Sequence, residues 1–243
     1  MKATSNFTPE LCCASVEALH LASAKKIERI ELCQNLEEGG ITPSLGLFQY
    51  AKELDLEVHV LIRPRVGGFV YSRAEKEVML KDIEYFCAHG ANGIVVGALN
   101  QQLALDVEFL HEIEKYTRLV EFTFHRAFDE LVDWKKSIDS LISFNFKRIL
   151  SSGRTKNIAL AIDNFREIIS YVGEKIEIMP GGGVNAENVQ LLVRELKIVS
   201  VHFSGTKKIF LDESSAFSST VLSIDEKKVD RILDSIDISL QER

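Results

Sequence analysis

The sequence of 243 residues contains few cysteines and lacks any long apolar run. Its four cysteines are Cys12, Cys13, Cys33 and Cys87, and they form neither a Cys-x-x-Cys pair nor a zinc-finger array. No stretch approaches the roughly 18 apolar residues of a transmembrane helix, and the start, MKATSNFTPE, lacks the apolar segment of a signal peptide. We therefore expect no membrane partner and no disulfides, but free thiols in the reducing cytoplasm.

The chain also lacks a cluster of lysine and arginine, and its formal net charge is −7. Proteins that bind nucleic acids usually carry a concentrated basic patch, so we expect no nucleic-acid partner. Hydrophobic residues make up 46% of the chain and charged residues 27%, which is typical of a soluble globular protein. A chain of this length can bury a large core without disulfides or a structural metal.

Eight short apolar segments recur along the chain, and each is followed by a longer segment with helical periodicity. The apolar segments predict strands at residues 10–13, 29–33, 58–62, 93–97, 120–124, 148–152, 176–180 and 199–203. The periodic segments predict helices at residues 15–26, 43–54, 72–90, 106–117, 131–143, 158–173, 186–196 and 225–240. Eight such units predict an α/β protein with a single (β/α)8 TIM barrel over residues 1–243.

Two features qualify this fold prediction. An open doubly wound sheet is the competing fold, but the glycine-rich turn that normally follows its first strand is absent here. The segment 205–224 is rich in serine and weakly periodic, so it is predicted to be a long loop before the C-terminal helix.

Polar side chains concentrate at the ends of the predicted strands. In a TIM barrel, these carboxyl ends and the loops after them form the active face. The residues predicted there are Glu10, Cys12, Glu31, Cys33, Arg63, Arg65, His125, Arg126, Ser151, Ser152, Gly153, Gly181, Gly182, Gly183, His202 and Ser204. Three arginines at one mouth repel each other unless nearby carboxylates, such as that of Asp129, or a bound anion balance them.

Each of these features has two interpretations that the residues alone leave open. Arginine and glutamate at a barrel rim often form ion pairs that hold loops. The Gly181–Gly183 run is either a tight turn or a phosphate-binding loop, because the loops after the last two strands of such barrels often bind phosphate. Cys12 and Cys33 are either buried hydrophobic residues or a soft thiolate pair, which suits Cu(I) and is too small for a closed zinc site.

Several uncommon strings occur in order between residues 10 and 205. They are ELCCASVEA (10–18), RIELCQNLEEGGITPS (29–44), IRPRVGGFVYSRAEKEVM (62–79), GANGIVVGAL (90–99), FTFHRAFD (122–129), RILSSG (148–153), IMPGGGVNAENV (178–189) and VHFSG (201–205). Together they resemble the CutC family of copper homeostasis proteins. The resemblance implies a TIM barrel, a cytoplasmic location, a homodimer, and Cu(I) binding by two cysteines that fall on Cys12 and Cys33.

Two functions are therefore expected candidates. The first is a copper homeostasis protein that binds Cu(I) through Cys12 and Cys33. The alternative is an enzyme that acts on a small phosphorylated or carboxylated metabolite, with Glu31, His125 and Asp129 as acid–base or orienting residues. In the enzyme, the residues expected to bind the ligand or its anionic group are Glu10, Arg63, Arg65, Arg126, Gly181, Gly182, Gly183, His202 and Ser204. A purely structural barrel ranks last, because it needs no clustered rim charges.

Overall fold

Eight parallel strands form the central sheet of the computed structural model, which describes residues 7–156, 158–210 and 220–242. They are β1 (Thr8–Cys13), β2 (Arg29–Leu32), β3 (Glu57–Ile62), β4 (Gly93–Val96), β5 (Glu121–Phe124), β6 (Arg148–Ser151), β7 (Glu177–Pro180) and β8 (Ser200–Phe203). The strands pair in the order β7-β6-β5-β4-β3-β2-β1-β8, which closes the sheet into a nearly complete barrel. The predicted (β/α)8 TIM barrel is confirmed, with each strand within two residues of its predicted bounds.

Helices alternate with the strands as predicted. They are α1 (Val16–Lys25), α2 (Leu45–Glu53), α3 (Arg73–Ala88), α4 (Val107–Ile113), α5 (Trp134–Ser143), α6 (Ile162–Val172), α7 (Ala186–Glu195) and α8 (Glu226–Gln241). Side-chain caps fix the starts of most of them: Ser15 accepts from the N–H of Ala18, and Ser72 forms a capping box with Glu75. Within the described ranges, no helix is long and apolar enough to cross a membrane.

The segment 205–224 differs from the predicted loop. Residues Thr206–Phe210 form a strand, β9, that pairs antiparallel with β10, Thr220–Ile224, while residues 211–219 lie outside the described residues. Both strands are rich in β-branched and apolar residues, which favour extended backbone. The N–H of Leu222 donates to Glu37, so this hairpin is attached to the loop after β2.

The strands alternate their side chains between the barrel interior and the helical layer. Cys13 packs in the main core, which lies between strands and helices. A separate small cluster contains Cys12, Cys33, Leu61 and Val95. The consecutive residues Cys12 and Cys13 therefore point to opposite sides of β1.

Buried charges fill the amino-terminal part of the barrel interior. Arg29 bonds to Glu10 at 2.7 Å, and Arg148 contacts Glu177 at 3.1 Å and Glu121 at 2.9 Å. The two arginines are only 4% and 2% exposed. The charged residues that begin the strands therefore do not all face solvent, because alternate side chains of a closed barrel converge on its interior.

Candidate functional site

The register of three neighbouring strands sets the positions of the buried polar side chains. Cys12 on β1 lies opposite Glu31 on β2. Glu10 on β1 lies opposite His202 on β8. The sequence thus brings one thiol, two carboxyls and one imidazole together from segments that are almost 200 residues apart.

Cys12 and Cys33 form a close thiol pair at the carboxyl end of the barrel. Their Sγ atoms are 3.7 Å apart, and the Cys12 Sγ also lies 3.7 Å from Oε1 of Glu31. Both cysteines are buried, at 3% and 0% exposure. The hydrogen bond with Cys33, together with burial, raises the pKa of the Cys12 thiol well above its ordinary value. The ligand atoms of Cys12, Glu31 and Cys33 are close enough together to hold one metal ion.

Glu10 is a fully buried carboxylate held by two partners. It accepts hydrogen bonds from Arg29 at 2.7 Å and from Nδ1 of His202 at 2.8 Å. Burial alone would raise the pKa of Glu10, but the His202 hydrogen bond and the Arg29 charge bring it far below its usual range. Glu10 therefore orients His202 from inside the barrel, and it does not line the cavity at the carboxyl ends of the strands.

His202 and Glu31 are the two titratable side chains on one side of the mouth. Burial would lower the pKa of His202, yet the charge of Glu31 and the hydrogen bond to Glu10 raise it overall. Burial raises the pKa of Glu31, and the neighbouring charge of Glu10 adds to that rise. Among the described residues, Oε2 of Glu31 has no hydrogen-bond partner. Glu31 thus presents one carboxyl oxygen to the cavity without a protein partner in the described part of the chain.

His125, predicted as an acid–base or orienting residue, is a buried and neutral imidazole. Its Nδ1 accepts the N–H of Ala127 at 3.1 Å, so the ring hydrogen lies on Nε2. Burial and the nearby charge of Arg63 lower the pKa of His125 to about 3. The Nε2–H is buried without a partner in the described part of the chain. The side chain is therefore a hydrogen-bond donor at neutral pH.

The pH dependence of stability tests this neutral state. The folded pKa lies below the unfolded value of about 6.5, so the contribution of His125 is complete above pH 6.5 and declines as the pH falls toward 3. Between pH 7 and 5, the free energy of unfolding should fall by about 2 kcal/mol more in the wild type than in His125→Asn. Urea unfolding at several pH values in this range measures the free energy of unfolding of both proteins. The same dependence on pH in the wild type and the variant would contradict the neutral state. The exposed His111→Asn serves as the control.

Asp129 is a structural carboxylate rather than a free base. It accepts hydrogen bonds from Ser151 Oγ at 2.5 Å, Ser152 Oγ at 2.9 Å and the N–H of Arg154 at 3.3 Å, and it pairs with Arg126 at 3.1 Å. These donors occupy both of its oxygens. The carboxylate therefore fixes the loop after β6 and holds Arg126 in place.

The two arginines of the loop after β3 also donate hydrogen bonds to backbone carbonyls. Arg63 donates to the carbonyls of Glu38, Gly40 and Gly67, and its guanidinium lies 5.4 Å from the ring of Phe69. Arg65 pairs with Glu75 and donates to the carbonyls of Val66, Gly68 and Val70. Because Arg65 lies outside the cavity lining, its expected contact with an anion is not supported by its position.

A cavity of about 670 Å³ opens at the carboxyl ends of the strands. The predicted residues that line it are Cys12, Glu31, Arg63, His125, Arg126, Asp129, Ser152, Gly182, Gly183, His202 and Ser204. The predicted residues Glu10, Cys33, Arg65, Ser151, Gly153 and Gly181 do not line it, and Gly181 donates its N–H to the carbonyl of Ser151. A second cavity of about 1090 Å³ lies among the strand beginnings and contains none of the predicted site residues.

Two cations of the cavity were missed by the sequence analysis. Arg154 and Lys156 lie in the loop after β6 and line the same cavity. Their position directly after the predicted strand that ends at Ser152 was the available signal. The rim is therefore richer in positive charge than the strand ends alone indicated.

The chain resembles known proteins over most of its length. A family model described as the CutC family matches residues 7–207. A CutC family protein of Photobacterium profundum is 36% identical, with 81% of this chain and 80% of the relative covered. A CutC family protein of Vibrio campbellii is 39% identical, with 81% of each covered.

Solved structures resemble the chain as well. A structure of the copper homeostasis protein CutC from Streptococcus agalactiae matches with a TM-score of 0.76 at 36% identity, covering 81% of this chain and 97% of that chain. Thiamine phosphate pyrophosphorylase from Pyrococcus furiosus has a TM-score of 0.56 at 10% identity, covering 97% of this chain and 98% of that chain. The second similarity concerns the fold alone.

Proposed function

This chain belongs to the CutC family, and on that premise we propose that it serves copper homeostasis by binding Cu(I) through Cys12 and Cys33. The observation that carries the proposal is the 3.7 Å separation of two buried Sγ atoms. A similar protein of known structure is named for copper homeostasis, which supports the same cargo here.

The donor set fits Cu(I) better than other common metals. Thiolates are soft ligands that favour Cu(I), whereas structural zinc sites use four protein ligands. Two sulfurs with one nearby carboxylate, that of Glu31, leave the site with few ligands. Burial within an apolar cluster also keeps water away from the bound ion.

Exchange of the ion follows from the position of Cys12. Cys12 lines the cavity, while Cys33 lies beneath it and does not. The raised pKa of Cys12 means that this thiol is protonated at neutral pH before the metal binds. Cu(I) must therefore displace a proton from Cys12, and proton competition weakens binding as the pH falls. Such a site is suited to acquiring and releasing a metal cargo through the one ligand, Cys12, that borders the cavity.

An anaerobic titration against a coloured Cu(I) chelator tests the proposal. We expect one Cu(I) per chain, with proton release on binding. The matched control is Cys87→Ser, because Cys87 is a free thiol that lies outside the site and is partly exposed. The absence of Cu(I) binding by the wild type, or its loss in Cys87→Ser, would contradict the proposal.

The cellular setting is part of the same proposal. Both thiols must stay reduced to bind Cu(I), so we place the protein in the cytoplasm. We also propose a homodimer, which the family resemblance implies. Cell fractionation and analytical ultracentrifugation of the full chain measure these two properties.

A further inference from the structure

Three side chains that line the cavity carry a buried polar atom without a hydrogen-bond partner among the described residues: Nε2 of His125, Oε2 of Glu31 and Nε of Arg63. Arg63 already donates from its other guanidinium nitrogens to backbone carbonyls, whereas the copper site leaves the His125 and Glu31 atoms unexplained or only partly used. Both side chains line the cavity. Buried polar groups in proteins nearly always have partners, because an unpaired one loses its hydrogen bonds to water without replacement. Their common location indicates a ligand that supplies the missing partners.

The hydrogen of His125 is fixed by its own backbone contact. Because Nδ1 accepts from Ala127, Nε2 carries the hydrogen and can only donate. Phe69 packs beside the ring, with 4.8 Å between ring centroids, and holds it in place. A fixed donor in a buried position is suited to recognising a carbonyl oxygen.

The rim of the same cavity offers an anion site. Arg126, Arg154 and Lys156 lie on it, although the chain as a whole is acidic. Gly182 and Gly183 also line the cavity with φ angles of 88° and 99°. A Cβ on Gly182 would lie 2.9 Å from Cζ of Arg126, so the glycine allows the guanidinium to approach this turn.

The backbone of this turn adds unused donors. Within the described ranges, the N–H groups of Gly182 and Gly183 have no protein acceptor. The helix end itself is occupied, because Asn185 accepts the N–H groups of Glu187 and Asn188. An anion at the turn would therefore contact the two glycines and Arg126 rather than the start of α7.

We propose that the cavity binds a small carbonyl compound that carries a phosphate or carboxylate group. The carbonyl oxygen accepts the hydrogen bond from Nε2 of His125. The anionic group contacts Arg126 and the Gly182–Gly183 turn. The volume of about 670 Å³ falls within the range of small-ligand pockets.

Two pairs of probes test the carbonyl contact and distinguish the anionic groups. Dihydroxyacetone phosphate is compared with glycerol 3-phosphate, and 2-oxoglutarate with 2-hydroxyglutarate, since each pair differs at the carbonyl. We expect the carbonyl member of at least one pair to bind the full-length protein at least 10-fold more tightly by calorimetry. Saturable binding of none of the four probes, or equal binding within both pairs, would overturn the proposal.

Two variants of His125 separate its donor from its backbone contact. His125→Asn keeps an acceptor for the Ala127 N–H but removes the Nε2–H, so the preference for the carbonyl should disappear. His125→Gln keeps a donor near the Nε2 position, so part of the preference should return. Retention of the full preference by folded His125→Asn would overturn the assigned contact, and unfolding transitions establish that both variants are folded.

A charge variant tests the anionic end independently. Arg126→Gln should weaken both members of the bound pair by a similar factor of at least 10, while their ratio stays unchanged. Arg118→Gln removes an exposed arginine at the opposite end of the barrel and should change neither affinity. Equal effects of the two substitutions would overturn the assigned anion contact.

Discussion

Cys12→Ser combined with Cys33→Ser is expected to abolish Cu(I) binding. A serine hydroxyl is a hard and weakly acidic ligand, so it does not replace a thiolate at a soft metal. Each single substitution should weaken Cu(I) binding by more than about 100-fold, since changes to supporting residues alone typically cost 10–100-fold. Competition with a Cu(I) chelator under anaerobic conditions measures the affinities.

Cys13→Ser is the matched control for this pair. Cys13 is fully buried on the same strand but packs in the core on the opposite side of the barrel wall. Its substitution places a hydroxyl in an apolar core and so shows whether destabilisation alone reduces Cu(I) binding. We expect the copper stoichiometry to stay unchanged. Undiminished Cu(I) affinity in the double variant, with a normal unfolding transition, would rule out the paired-thiol site.

Arg29→Met should cause a large loss of stability. The substitution removes the ion pair of the fully buried Glu10 carboxylate and leaves it the hydrogen bond from His202. Removing one member of a buried ion pair typically costs about 3–5 kcal/mol, because the other charge stays buried. Chemical denaturation at pH 7 measures the change in the free energy of unfolding.

The exposed ion pairs of Arg73 provide the comparison for Arg29. Arg73 contacts Glu77 and Glu112 on the outside of the barrel, and its side chain is 57% exposed. Arg73→Met should cost far less stability than Arg29→Met, because exposed ion pairs contribute little. Similar losses for the two variants would show that the interior charges are hydrated or compensated rather than dependent on Arg29.

The strands and helices were predictable because their signals are local. Parallel barrel strands are buried on both faces and therefore form continuous apolar runs, such as VHVLI at residues 58–62. Helix starts such as Ser72 carry their own capping residues. The hairpin of β9 and β10 was missed because its strands are short and its pairing joins residues up to 18 positions apart.

The site was predictable in location but not in residue roles. Strand ends identified the cavity, since all eight parallel strands end at the same face. The path of each loop decides whether a rim arginine lines the cavity or binds backbone carbonyls. Arg126 lines the cavity, whereas Arg65 donates to the carbonyl of Val70. The neutral state of His125 depends on burial and on the N–H of Ala127, neither of which the sequence shows directly.

X-ray absorption at the copper edge of the Cu(I)-loaded protein tests the central claim most directly. The 3.7 Å thiol pair predicts two sulfur neighbours per copper, with at most one light atom added by Glu31. The double serine variant, treated in the same way, should retain no copper. A copper environment made only of oxygen or nitrogen, or one with more than two sulfurs, would contradict the account.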